Sequence, residues 1–357
     1  MRRRDFLVYM TAGALESTAN GNQFAYKEFS SWQGGVNLAG AEFGTDNIAF
    51  SAGKPGVHGK DYVYNSKDTV HYFCRNNLRL ICCPFRWERL QPRLGQELNF
   101  QEASRLSSFV TTVADAGGRV VLDLHNYGRY MDMIDGARFE RALHLESESR
   151  EHLPIRFFCD VWRRIARAFA GHPGVAGYGL MNEPHDLPAG TWEVASQEAV
   201  FAIRSVDRRT PILVSGDSWA HAHRFEAING PNDWVDDPAD NLVYEAHCYF
   251  DSDVSGKYVK TFDEEVQIDP RMKGRGVSRI TPFLVWCRRN GVRGLLGEVG
   301  VPSGQRWLDL LQDCIDTCRE ADVPLCGWAA GDWWGNYRLS LQPDNGTMKA
   351  RAAIIGE

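Results

Sequence analysis

The chain contains no C-x-x-C pair, no H-E-x-x-H helix motif, no G-x-S-x-G elbow and no P-loop. These gaps leave a zinc ribbon, a dithiol redox centre, a zinc protease, an elbow-type serine hydrolase and a P-loop nucleotidase without support. Excess positive charge is also absent: 40 Lys and Arg stand against 46 Asp and Glu, for a net charge of −6. Such a chain offers no basic field for nucleic acid or an anionic membrane surface. No run approaches the ~20 apolar residues of a membrane span. No linker, low-complexity tract or repeat of about 20–50 residues is visible either.

What remains is the composition of a globular protein, 43% hydrophobic and 24% charged, with 11 Trp. Most of these indoles belong in a core, but an indole beside a polar cleft is also a platform for a sugar ring. The start is distinct. Arg2, Arg3 and Arg4 precede a mostly apolar stretch from Phe6 to Leu15. Residues 1–20 therefore resemble an export leader of the twin-arginine type, with a flexible N-terminus as the alternative. Export places the protein outside the cytoplasm, secreted or periplasmic. The nine cysteines are an odd number, so at least one thiol is free within the chain. Cys314 and Cys318 share a helical stripe with Trp307, Leu310, Leu311 and Ile315, which reads as a buried face; one or two disulfides elsewhere remain open.

From residue 30 to 357, short apolar runs alternate with amphipathic ones. The apolar runs are GGVNL, LRLICC, VVLDL, GVAGYGLM, ILVSG, LVYEAH, GLLGEVG and LCGWAA. Between them lie helical patterns such as IRFFCDVWRRIARAFAGHP, which stops at Gly171 with Pro173 behind it. EASRLSSFVTTVADAGG similarly stops at Gly117, and Thr191 is expected to cap the helix that follows it. Strands apolar throughout imply a sheet covered on both faces, hence parallel. Eight such units predict a single-domain (β/α)8 barrel. The alternative, a doubly wound sheet, lacks a convincing phosphate-binding turn, because no helix follows GGVNLAGAEFG.

Chemistry on such a barrel sits at the C-terminal strand ends. Polar residues cluster there: His125 and Asn126, Asn182 and Glu183, His247 and Tyr249, Glu298, and Trp328. Glu298 lies between Gly297 and Gly300 in an apolar setting, where a carboxylate is costly unless bonded. Glu183 and Glu298 are expected to close the fourth and seventh strands and face each other across the mouth. Two carboxylates among His, Asn, Tyr and Trp suit glycoside hydrolysis with neither metal nor cofactor.

The motifs MNEP, GEVG, LDLHNY, EAHCYFDSDVSG, PFRWERLQP and AAGDWWGNYRLSLQP together resemble those of glycoside hydrolase family 5, in its endoglucanase branch. The match runs in order from about Gly34 to about Pro343. The resemblance implies Glu183 as acid/base and Glu298 as nucleophile of a retaining endo-β-1,4-glucanase, a monomer acting on β-glucan. It also implies that Asn182 and His125 bind sugar, with Asn126 beside them. His247 and Tyr249 would order the carboxylates, Tyr249 nearer the nucleophile. Trp328 would lie under the sugar, before a cis bond to Ala329. Trp219 is expected either to flank the cleft or to pack at the rim.

His221-x-His223 lacks an acidic partner at helical offset and reads as a loop or wall. The departure from the family is Cys82, anchored by Pro84, Phe85 and Trp87 at a position where the family carries an Arg bonded to the nucleophile. Arg79 is at an odd strand offset and Arg86 is on the loop side, so neither is an evident replacement. Two alternatives follow: a glucan-binding protein with an impaired site, or a hydrolase of another β-glycan such as mixed-linkage glucan, xyloglucan, mannan or exopolysaccharide.

Overall fold

Eleven strands occur among the residues described by the computed structural model, 29–146 and 149–357. They are β1 Gly34–Leu38, β2 Leu80–Phe85, β3 Arg119–Leu124, β4 Arg129–Ile134, β5 Ala137–His144, β6 His152–Pro154, β7 Val175–Gly179, β8 Ile212–Ser215, β9 Leu242–Cys248, β10 Arg293–Val299 and β11 Leu325–Ala330. Eight close a parallel barrel in the order β1-β11-β10-β9-β8-β7-β3-β2. Each of the eight apolar runs supplies one of them. The leader expected over 1–20 lies outside the described residues.

Their near-continuous hydrophobicity has a direct cause. Alternate residues of a strand point to opposite faces, and here both faces are buried. Leu80, Cys82, Val121, Ala176, Leu213, Val243, Leu295 and Cys326 point inward and, with Phe29, fill the lower barrel. Their neighbours Ile81, Cys83, Val120, Leu122, Tyr244, Ala246 and Leu296 face outward into the layer of helices. Gly35 has no side chain because a Cβ there would stand 2.5 Å from the Leu80 carbonyl oxygen and 2.6 Å from Cys326 Sγ.

The helices follow their stop signals. Asn99 caps Phe100–Asp115, its side chain accepting from the Gln101 and Glu102 amides. Ile155–Phe169 buries Phe158, Val161, Trp162, Ile165 and Phe169. Gln305–Glu320 buries the expected stripe with Cys314 and Cys318. All nine cysteines are free. The cap expected at Thr191 is corrected: Gly190, in the left-handed region at φ 78°, is the N-cap, and Thr191 is turned fully inward. No helix of the described residues is long and apolar enough to cross a membrane.

One element goes beyond the barrel pattern. β4, β5 and β6 form a small sheet in the connection after β3. Its hairpin turns on Asp135 and Gly136, both at positive φ, the dipeptide that two-residue hairpins favour.

Candidate active site

The fourth barrel strand, β7, runs out into Met181-Asn182-Glu183, which stays attached to its neighbours. The Asn182 amide donates to the Leu124 carbonyl at 2.9 Å, and the Asn182 carbonyl accepts from the Tyr127 amide at 3.1 Å. Glu183 itself is held at φ 42°, a conformation uncommon for a residue with a Cβ. Strain of this kind persists where the surroundings over-determine the backbone. The Glu183 carboxylate opens onto the barrel mouth with 15% of its side chain exposed.

Glu298 arrives by another route. Leu295 points into the barrel, so a regular strand would send Glu298, three residues on, outward. The register breaks between Leu296↔Ala246 and Glu298↔His247, a bulge at Gly297 that restores the inward direction. The Asn37 side-chain amide donates to the Gly297 carbonyl at 2.8 Å and holds the bulge from β1, two strands away in the barrel.

At the mouth the groups converge. One carboxylate oxygen each of Glu183 and Glu298 and a nitrogen of His247 lie within 4.8 Å of one another. His247 Nδ1 is 2.7 Å from Glu183 Oε1 and 3.6 Å from Glu298 Oε2. The Tyr249 hydroxyl donates to Glu298 Oε2 at 2.6 Å. His125 takes Asp123 Oδ2 on Nδ1 at 2.8 Å, and its Nε2 is 3.3 Å from the Asn182 amide and 3.2 Å from the Tyr127 hydroxyl. Trp328 lies nearly parallel to the His125 ring, 11° between planes at 5.5 Å. Its indole N–H donates to Tyr337, and the Trp328–Ala329 bond is cis. His125, Tyr127, Glu183, Tyr249, Glu298, Trp328 and Tyr337 line a cavity of roughly 150 Å³. A cleft of roughly 850 Å³, lined by Lys260, Arg306, Trp307 and Arg338 among others, opens beside it and shares Tyr337.

Charge follows from burial. Burial pushes the Glu298 carboxyl up to about 7, Glu183 adding to the rise while His247 and His125 oppose it. Burial pulls the His247 imidazole down, but Glu298, Glu183 and Glu245 outweigh it and hold the ring well above its ordinary value. Burial likewise opposes His125, which Asp123 nevertheless raises. Among the described residues the Glu183, His247 and Glu298 trio is the only metal-like grouping. A metal ligand must be a neutral imidazole, whereas three carboxylates favour the protonated ring here. The arrangement suits proton sharing.

Trp219 is 40% exposed and stacks on His185 at 3.6 Å and 9°, with Tyr127 at 6.1 Å. Its backbone amide donates to the Pro184 carbonyl, next to Glu183, at 3.2 Å. Asn126 is a correction. It is 1% exposed, accepts from the Trp87 amide, and donates to Glu88 and the Arg129 carbonyl. With its polar atoms so engaged it braces the loop and does not face sugar. His221 and His223 stand 5.5 Å apart as neighbouring rings.

Cys82 sits below the site, 2% exposed, its thiol 3.5 Å from that of Cys326. Arg79 bonds the Cys74 carbonyl and Arg86 pairs with Glu88. Neither approaches Glu298, and among the described residues both carboxylates have ion pairs to His247 alone. Sequence reasoning missed Asn37, Asp123, Tyr127, Glu245 and Tyr337. Asp123 and Glu245 stand two residues before His125 and His247, the same-face offset on a strand, which was a readable signal.

The family model for cellulase (glycosyl hydrolase family 5) matches residues 36–333. The chain is 28% identical over 316 residues to endo-beta-1,4-glucanase B of Emericella nidulans, covering 87% of this chain and 86% of that one. It is similar to the crystal structure of Pseudomonas stutzeri endoglucanase Cel5A in complex with cellobiose, at 37% identity, 91% of each chain and a TM-score of 0.79. The endo-beta-1,4-glucanase Xac0029 of Xanthomonas axonopodis pv. citri is 32% identical, over 91% of this chain and 97% of that one, with a TM-score of 0.77.

Proposed function

The chain belongs to the cellulase family, glycosyl hydrolase family 5, and on that premise we propose that it is a secreted, retaining endo-β-1,4-glucanase in which Glu298 is the nucleophile and Glu183 the acid/base. The observation that carries this reading is the meeting of the two carboxylates and His247 within 4.8 Å at the mouth. Retaining hydrolysis uses carboxyl groups about 5–5.5 Å apart, whereas inversion needs about 6.5–9.5 Å to admit a water.

A Glu298 oxygen attacks the anomeric carbon as Glu183 gives its proton to the departing glycosidic oxygen. Water then attacks the anomeric carbon, giving a proton to Glu183 and releasing the Glu298 carboxylate. The resting state needs one proton on the pair. Burial, with the Glu183 charge adding to it, holds a proton on Glu298 up to about pH 7; in the complex the glycosidic oxygen beside Glu183 draws that proton across the pair. On this reading His125 and Asn182 bind the sugar at the cleaved bond and Trp328 packs against it. Trp219, its amide bonded to Pro184 beside Glu183, is assigned on this reading to the leaving portion.

The test is reducing-sugar release from carboxymethyl-cellulose and barley β-glucan, with the anomer of the first product read by NMR. Release of the β-anomer is the expected result; the α-anomer first would overturn the retaining assignment. A parent that binds glucan but releases nothing would make it a binding protein. Two further outcomes are expected. kcat/KM declines as pH rises through about 7, where the pair loses its last proton; a pH–rate profile flat across 6–8 contradicts this. Trp219→Ala raises KM for cello-oligosaccharides about fivefold, the scale of one aromatic contact, and leaves kcat within about twofold; initial rates check both.

A further inference from the structure

His247 stands at the centre of the pair, and what lies behind it is not explained by sugar binding. Glu245 is two residues earlier on β9, so it points into the barrel like His247. Its Oε1 faces His247 Nε2 at 3.7 Å, an ion-pair distance. Its Oε2 has the Ser215 hydroxyl at 3.5 Å, and that hydroxyl is also bonded to the Met181 carbonyl at 2.7 Å, just before Asn182 and Glu183. Room for the carboxylate is made by Gly297. A Cβ on Gly297 would stand 1.8 Å from Glu245 Oε1 and 2.7 Å from its Cδ. The bulge that delivers Glu298 therefore also makes the seat for Glu245.

We infer that Glu245 is a positioning residue: it holds the Nε2–H side of His247, so that the ring keeps both N–H groups and presents Nδ1–H to Glu183 and Glu298. A neutral imidazole has a single N–H and can place it on either nitrogen. A carboxylate behind Nε2 favours the doubly protonated ring. The consequence reaches both catalytic carboxylates, because their ion pairs among the described residues are with His247. Glu245 thus acts through His247 and touches neither the sugar nor the reacting atoms.

Other charged or titratable groups face this centre from the neighbouring strands. Burial raises the Glu245 carboxyl, His247 opposes the rise, and the Asp123 charge on β3 adds to it. His125 acts on Glu298 from beyond β3, and His221, after β8, feels both Glu183 and His247. Cys82 on β2 senses Glu245 and Asp123, and Cys248 on β9 senses His247, both as buried thiols. None of these is bonded to His247 Nε2, and Glu245 is the group that faces it.

The inference rests on reading Glu183 and Glu298 as the catalytic pair, so its test includes a measurement that needs no substrate. The imidazole nitrogens of His247 are followed by 15N NMR against pH in the full chain and in Glu245→Gln. The expected result is a ring doubly protonated through neutral pH in the parent that loses its proton at lower pH in the variant. Unchanged titration in Glu245→Gln would overturn the inference while leaving the glucanase reading intact.

Kinetics add a direction. If Glu245 acts through His247, loss of the imidazolium charge that holds Glu298 down raises Glu298 further, and the basic limb of kcat/KM moves to higher pH. The rate falls roughly tenfold with KM little changed. Removing a negative charge from an otherwise unaltered imidazolium would move the limb to lower pH, and a purely structural defect would leave it in place; either outcome refutes the proposal. Glu245→Asp keeps the charge and is expected to restore the doubly protonated ring and part of the rate, which covers the case of poor folding in Glu245→Gln.

Discussion

Glu298→Gln is expected to lower kcat on cellulosic substrates by about 10⁴-fold or more, since a neutral amide replaces the carboxylate that forms the glycosyl ester. Glu183→Gln removes general acid–base assistance, a loss of about 10²–10⁴-fold on the same substrates. The two separate on an aryl cellobioside with a very acidic phenol. That leaving group departs without protonation, so Glu183→Gln regains much of its bond-cleavage rate, seen as a burst of phenol, while Glu298→Gln stays silent. A Glu298→Gln enzyme retaining near-full rate on either substrate would remove Glu298 from the mechanism.

The same substitution has an opposite effect on stability. Glu298 is 6% exposed, and burial raises it from an ordinary 4.5 to about 7. The folded chain therefore holds this proton more tightly than the unfolded chain does. Stability linked to it is full below about 4.5, declines as pH rises through 7, and is flat above. The amide carries no such charge. Glu298→Gln should gain on the order of 2–3 kcal/mol over the parent at pH 8, less whatever its extra N–H loses by lacking a partner. The gain should vanish near pH 4, and thermal unfolding at the two pH values reads the difference. An inactive variant that is also more stable at high pH marks a residue retained for chemistry rather than for folding.

Arg275→Ala is expected to cost about 3–5 kcal/mol, the penalty for leaving one partner of a buried ion pair alone. Arg275 is 5% and Glu265 1% exposed. The guanidinium donates to Glu265 Oε2 at 2.8 Å and to the Phe250 carbonyl at 2.7 Å, and Glu265 Oε1 accepts from the Ser252 amide. One pair thus joins two helices, Phe262–Ile268 and Arg275–Asn290, to the loop that leaves β9 with Tyr249. The alanine variant should unfold at lower denaturant and lose several-fold in kcat as the Tyr249 contact to Glu298 loosens. Replacing both charges, as in Glu265→Leu with Arg275→Met, removes the unpaired carboxylate and should recover part of the stability. If the double variant is as unstable as Arg275→Ala, the cost lies elsewhere.

The barrel was legible in the sequence because its cause is local. A strand buried on both faces must be apolar throughout, and each of the eight such runs became a barrel strand. The site was legible for the complementary reason. A carboxylate in GLLGEVG or GYGLMNEP is out of place energetically, so Glu183 and Glu298 stood out against the residues around them. Asn126 carried the same signal and misled, since a polar residue at a strand end can satisfy itself inward, as its bonds to Trp87, Glu88 and Arg129 do. The Asp135-Gly136 hairpin was written in plain turn residues, but its strands answer to a local sheet outside the eightfold repeat.

Other features only the tertiary structure decided. Strand parity alone turns Glu298 away from Glu183; the bulge at Gly297 reverses it, and that bulge depends on Asn37, 260 positions away in sequence. The place of Glu245 behind His247 likewise depends on the missing Cβ of Gly297 on the next strand. Sequence by itself determined which residues must be buried and which buried ones demand a partner, because those costs are paid residue by residue. Who the partner is, and which way each side chain faces, was settled by the register between strands, a property of the closed barrel that no single segment contains.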